Sequence, residues 1–303
     1  MAHEETVYDA LGLAHGGEGQ WAFGTGFDDP LAGVDTTVPE GVDHADLGAY
    51  CLMLGDDALV LAQRLTEWIT AAPELEEEVA LANIALDLLG QARLLLARAA
   101  AAGVLGRSRA HASPSIPDED ALAYFRDADE FRCTALVAAP NGDFGQTMVR
   151  LLAATTARLA VLDRLRASRD PVLAAVAAKG VHELTYHRDH AARWVLRLGD
   201  GTAESHRRTQ AGADAVWPLL ADVFSPTGVE RRLAAAGVAV DPGDVRAEVT
   251  DVLARVLERA TLRVPPEPAE APPSGRAGRH GPELAELLAR LQGLARQHPT
   301  ATW

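Results

Sequence analysis

Residues 81–100 form one almost wholly apolar stretch, rich in Leu and Ala, broken only by Asn83, Asp87, Gly90, Gln91, Arg93 and Arg98. Leu and Ala favour helix, and a helix apolar nearly all round belongs at the centre of a bundle. Asn83, Asp87 and Gln91 are spaced four apart, which puts them on one face of that helix. A polar group buried without a partner costs roughly 1–3 kcal/mol, and a lone charge costs more. The chain must therefore surround this helix with others that present polar groups at the same height.

The neighbouring segments supply such helices. A helical pattern begins near His44 and runs over residues 45–71, up to the break at Pro73. Glu74, Glu76, Glu77 and Glu78 then suit the positive end of a second helix, which runs to about Ala102 and stops at Gly103. So short a connection makes these two helices antiparallel neighbours. Residues 103–145, with Pro114, Pro117 and Pro140-Asn141-Gly142, read as a long irregular crossover. A third helix covers 144–167, and Ser168-Arg169-Asp170-Pro171 restarts the chain into a fourth that ends at Gly199. A fifth helix covers 203–224, kinked at Pro218. Further helices cover 228–235, 242–262 and 282–297, with a Pro/Gly-rich surface loop over 265–281. No stretch shows strand periodicity. The expected class is all-α: a ferritin-like four-helix bundle core over residues 44–303 with extra C-terminal helices. Residues 1–43, rich in Gly, Asp and Thr, read as an extended N-terminal arm, with Trp21 and Phe23 as its candidate anchors.

The net charge of −15 argues against nucleic acid and anionic membranes as partners. No apolar run of about 18 residues is free of charge, so no membrane span is expected. Nor do the first 20 residues show a signal-peptide pattern. Cys51 and Cys133 read as reduced thiols of a cytoplasmic protein. Phosphate-binding loops and nucleophile elbows are missing.

Di-iron bundles place Glu-x-x-His on two of their helices. Asp87-Leu88-Leu89-Gly90 keeps a shortened acid, with glycine where the histidine belongs. The fourth helix carries Glu183, Tyr186 and His187, with a spacing of four from acid to histidine instead of three. Counting back from the Pro73 turn sets Asp56 opposite Asp87, and counting about Pro171 sets Thr155 or Thr156 opposite Glu183. Lys179, the single lysine among 28 Lys and Arg residues, lies one turn before Glu183. Two ferrous ions need about four carboxylates and two histidines. The set Asp56, Asp87, Lys179, Glu183 and His187 therefore reads as a vestigial site: a buried polar cluster with no metal expected and no catalytic residue. A working di-iron oxygenase or ferroxidase is the alternative, and a scaffold of an unrelated pathway is a third. His187 and His190 lack an evident third ligand for zinc. The Gly275-Arg276-Ala277-Gly278-Arg279 run reads as a solvated basic loop.

Residues 81–93 resemble the signature helix of the structural, PaaC-type subunits of bacterial phenylacetyl-CoA epoxidase. Gln63-Arg64-Leu65 with Glu67-Trp68, Pro140-Asn141-Gly142, Ser168-Arg169-Asp170-Pro171, Thr261-Leu262 with Val264-Pro265, and the terminal Trp303 carry the likeness to the end of the chain. The resemblance implies a ferritin-like, non-catalytic subunit in aerobic phenylacetate degradation. It implies a homologous PaaA-type partner holding the di-iron centre, with a reductase and small accessory subunits, and O2 and NADPH consumed by the complex. A second copy of this chain is a further candidate partner. Lys179 and Glu183 match positions where polar groups replace metal ligands; Thr155 departs from the acid expected there.

Overall fold

The computed structural model describes residues 31, 33–105, 112–267 and 274–301. Trp21, Phe23 and Trp303 lie outside the described residues, as does most of the expected arm. Four long helices make the body: α1 (His44–Thr66), α2 (Leu75–Ala101), α5 (Phe144–Leu165) and α6 (Pro171–Gly199). The pairs α1/α2 and α5/α6 are antiparallel hairpins. The crossover between them contains two short helices, α3 (Asp118–Tyr124) and α4 (Ala135–Ala138), where the sequence suggested only irregular chain. The C-terminal part adds α7 (Ala203–Val216), α8 (Leu220–Val223), α9 (Gly228–Ala235), α10 (Arg246–Arg259) and α11 (Pro282–Gln297). No strand occurs among the described residues. Two hairpins joined by one long crossover make the ferritin-like arrangement.

Local chemistry sets the helix ends. Asp43, Asp143, Asp170 and Thr202 accept hydrogen bonds from Asp46, Gln146, Leu173 and Ser205 backbone N–H groups and so cap α1, α5, α6 and α7. Pro171 opens α6, and Thr227 with Glu230 forms a reciprocal capping box on α9. The predicted kink at Pro218 is a one-turn 3-10 segment, Trp217–Leu219, between α7 and α8.

Two expectations need correction. α1 ends at Thr66 rather than Ala71, and the chain turns through Thr70 at φ 71°. α2 is not buried on every side. α1 and α6 cover two faces, while Leu75, Val79, Leu86 and Leu89 stand exposed in a stripe, Leu86 at 64%. By length and composition α2 is also long and apolar enough to cross a membrane, which the charge-based reading did not anticipate; here it packs as a bundle helix.

One buried ion pair fastens the hairpins to each other. Arg98 of α2 donates to the carboxylate of Asp170, the α6 cap, and to the carbonyls of Thr36 and Thr37. Both side chains of the pair are essentially inaccessible. The arm residues 36 and 37 are thus strapped across the junction of α2 and α6, with Val42 buried behind them. Replacing one partner of such a pair strands the other charge. Arg98→Met is expected to cost about 3–5 kcal/mol, read as a lower urea midpoint; a loss below about 1 kcal/mol would show that water reaches Asp170.

Candidate functional site: the bundle midpoint

At mid-height the two hairpins meet through a continuous polar chain. Arg158 of α5 donates from Nε to Gln91 Oε1 of α2 at 2.8 Å, and from Nη1 to the Leu54 carbonyl of α1 at 3.0 Å. Gln91 Nε2 donates to Glu183 Oε2 of α6 at 2.8 Å. Lys179 Nζ donates to Glu183 Oε1 at 2.6 Å. Four helices therefore share one hydrogen-bonded joint, with the guanidinium of Arg158 as its hub. α6 has Gly180 at this point: a Cβ there would meet Leu162 Cδ1 at 2.6 Å and the Gln91 amide at 3.4 Å. Burial pulls Arg158 down to about 10, opposed by Asp57 and Glu183 among others, so it remains a cation at neutral pH. Its Nη2 has no hydrogen-bond partner among the described residues. Arg158 also borders a small, partly open pocket of about 60 Å³ with Tyr50, Asp57, Glu230 and Arg276.

A second contact lies at the α2/α6 edge. His187 Nε2 and Asp87 Oδ2 are 2.9 Å apart. The imidazole is fully buried while the side chain of Asp87 is 42% exposed. Further along the same edge, Glu77 accepts from Trp194 Nε1 at 2.8 Å and faces His190 Nε2 at 3.2 Å. Trp194, Phe144 and Trp68 then meet edge to face and close that end of the bundle.

Of the five residues expected to share one cluster, the structure brings together Lys179 with Glu183 and Asp87 with His187. Asp56 stands apart. It is claimed by a forked pair with Arg126 and by the Arg132 N–H at 2.7 Å, both in the crossover. Its neighbour Asp57 is likewise held by Arg276 at 2.7 Å and the Thr134 N–H at 2.8 Å. Arg276 is therefore no solvated loop residue: it also donates to the Met53 and Arg132 carbonyls. Thr155 and Thr156 do not reach Glu183, because each hydroxyl bonds back to its own helix, at the Leu151 and Leu152 carbonyls, at 2.6 Å. Lys179 is not buried; its side chain is 47% exposed. Gly90 faces open space, since a Cβ there would meet nothing within 4 Å, so it does not mark the inner face of α2. Gln91 does.

Arg158 escaped the sequence reading, because an arginine in a helix looks like a surface residue until its neighbours are known. Gln91 was visible, as the third member of the Asn83-Asp87-Gln91 stripe. Of the acids that would gather around a metal pair, Asp56 is held by Arg126 and Asp87 by His187, while Glu183 is bonded to Gln91 and Lys179 in a joint that also takes the guanidinium of Arg158. This donor set does not fit a di-iron centre. The one described group of three acids whose ligand atoms lie close together, Asp127, Asp129 and Glu130, lies away from the midpoint, in the crossover.

A family model described as phenylacetic acid catabolic protein matches residues 34–303. The C subunit of the 1,2-phenylacetyl-CoA epoxidase of Escherichia coli (strain K12) is 41% identical over 257 residues, which is 85% of this chain and 99% of that protein.

Two measurements follow from the geometry. Burial holds the His187 imidazole below its ordinary pKa, and the bond to Asp87 offsets only part of that. The unfolded chain takes up this proton below about pH 6.5 while the folded chain resists, so stability falls as pH drops through that value. His187→Asn should flatten the decline in thermal midpoint between about pH 7 and pH 5; an unchanged slope would mean that His187 titrates freely. Because Lys179 is half in water, Lys179→Met should change stability by no more than about 1 kcal/mol in a denaturant titration, and a larger loss would place the ammonium in the core.

Proposed function

The chain belongs to the phenylacetic acid catabolic protein family, and on that premise we propose that it is the structural subunit of a phenylacetyl-CoA epoxidase. In this reading it supports a homologous PaaA-type subunit that holds the di-iron centre and the substrate, as part of aerobic phenylacetate degradation in the cytoplasm. O2 and NADPH are used by the complex, through its reductase and accessory subunits, and this chain carries no catalytic group.

The observation that carries the reading is the outer stripe of α2. Leu75, Val79, Leu86 and Leu89 lie in line on the solvent side, with Ile69 before the turn and Tyr186 beside them on α6 all exposed. Leu86 and Leu89 also line an apolar groove that runs towards Tyr124 of α3 and Leu291 of α11. A contiguous apolar face of this kind on a folded chain is the mark of a protein interface. A row of apolar side chains turned away from its own bundle is explained when another protein lies over it. The polar joint at the midpoint supports the non-catalytic half of the proposal, since its acids are already satisfied by side chains.

Co-expression with a PaaA-type protein tests both halves. The tagged chain should bring the partner down, and iron should follow the partner. The chain purified alone from iron-replete cells should hold less than about a tenth of the roughly two irons of a di-iron bundle. Leu86→Arg should abolish capture of the partner while shifting the chain's own stability by no more than about 0.5 kcal/mol, as for other exposed positions. Capture that survives Leu86→Arg would move the interface elsewhere, and two irons in the isolated chain would sink the structural reading.

A further inference from the structure

The fold brings four helices together at one height, and in this chain a side chain stands at the meeting point. Arg158 touches α1 through the Leu54 carbonyl and α2 through Gln91, and Gln91 passes the contact to Glu183 of α6. Each of these partners is either neutral or one bond removed. Among the described residues the guanidinium of Arg158 has no carboxylate in direct hydrogen-bond contact, unlike Arg98, Arg126 and Arg276, which bind Asp170, Asp56 and Asp57. Its charge is therefore set against the acids of the midpoint as a group, not against one of them.

The charges at this level are consistent with that role. A di-iron centre balances two divalent ions against about four carboxylates. Here Glu183 is bonded to Lys179 at the surface and, through Gln91, to Arg158, while Asp87 is engaged by His187 at the α2/α6 edge. The other two acids on α1 have been drawn to Arg126 and Arg276. Arginine suits the post better than lysine, because its fork reaches two helices at once in fixed geometry.

We propose that Arg158 is a built-in replacement for the metal pair: it ties the four central helices as coordinated ions would, and by its charge and position it keeps divalent cations out of the bundle. Lys179 is not needed for the exclusion, since it stands half in water and can swing away. The basis is the set of contacts around Arg158 and not the epoxidase reading.

The test is Co(II) titration of the full chain and of Arg158→Glu, followed by visible absorption and by thermal midpoint. The unaltered chain should show no ligand-field band and no shift. Arg158→Glu places an acid against Gln91, the residue that also holds Glu183. It should bind Co(II), with a midpoint raised by about 5 °C or more at roughly a hundredfold excess over Kd. If Arg158→Glu does not fold by itself, refolding in the presence of Co(II) should restore its helical signal. Glu183→Gln added to Arg158→Glu should remove the gain. Binding of Co(II) by the unaltered chain, lost on Glu183→Gln, would overturn the proposal. So would an Arg158→Glu chain that neither binds Co(II) nor is rescued by it.

Discussion

A guanidinium taken out of water must find several acceptors at once, and that demand organises this fold. Arg98 holds two arm carbonyls and Asp170. Arg126 holds Asp56 with the Leu122 and Glu130 carbonyls. Arg276 holds Asp57 with the carbonyls of Met53 and Arg132, and Arg64 holds the carbonyls of Ala138 and Glu283. Every one of these forks joins a long helix to an arm, crossover or C-terminal segment that helix packing alone would leave loose. A lysine offers a point charge and no fork, which accords with a chain whose interior is stitched by arginine and whose single lysine sits at the rim.

Much of the architecture could be read from the chain. Asp170-Pro171, Pro73 and Gly103 mark helix ends by local chemistry. The two hairpins follow from turn lengths. The polar stripe Asn83-Asp87-Gln91 located the height of the midpoint, and Glu183 does face it. What failed was partnership. Asp56 looked free to meet Asp87, because nothing in the sequence tells that Arg126, 70 positions later, folds back onto it. Lys179 looked like the inner cation, since proximity along a helix says nothing about which residue of a third helix arrives first. The outward stripe of α2 is a different kind of miss: helical periodicity reports that a face is apolar and cannot distinguish a core from an interface.

Those misses share a cause with the function proposed. On the proposed reading the midpoint of this bundle is specified by side chains in place of metal, and those residues need only fit one another. Asp87-Leu88-Leu89-Gly90 illustrates this. Its acid has moved to the α2/α6 edge, against His187, and its glycine opens onto the outer groove. The inner position passed to Gln91, whose amide can serve as donor to an acid and acceptor from a cation at the same time.

The pairing of Asp57 with Arg276 has a consequence for how the chain comes to be folded. The two residues are separated by 219 positions. At the usual pace of protein synthesis, the acid waits roughly 10–45 s on the ribosome for its counter-charge to be made. During that interval the first hairpin can zip along its apolar seam, yet the outer flank of α1 stays unsealed. The native state is thus completed from the C-terminal end, and a chain cut short before residue 276 would lack α11 and leave Asp57 without its guanidinium.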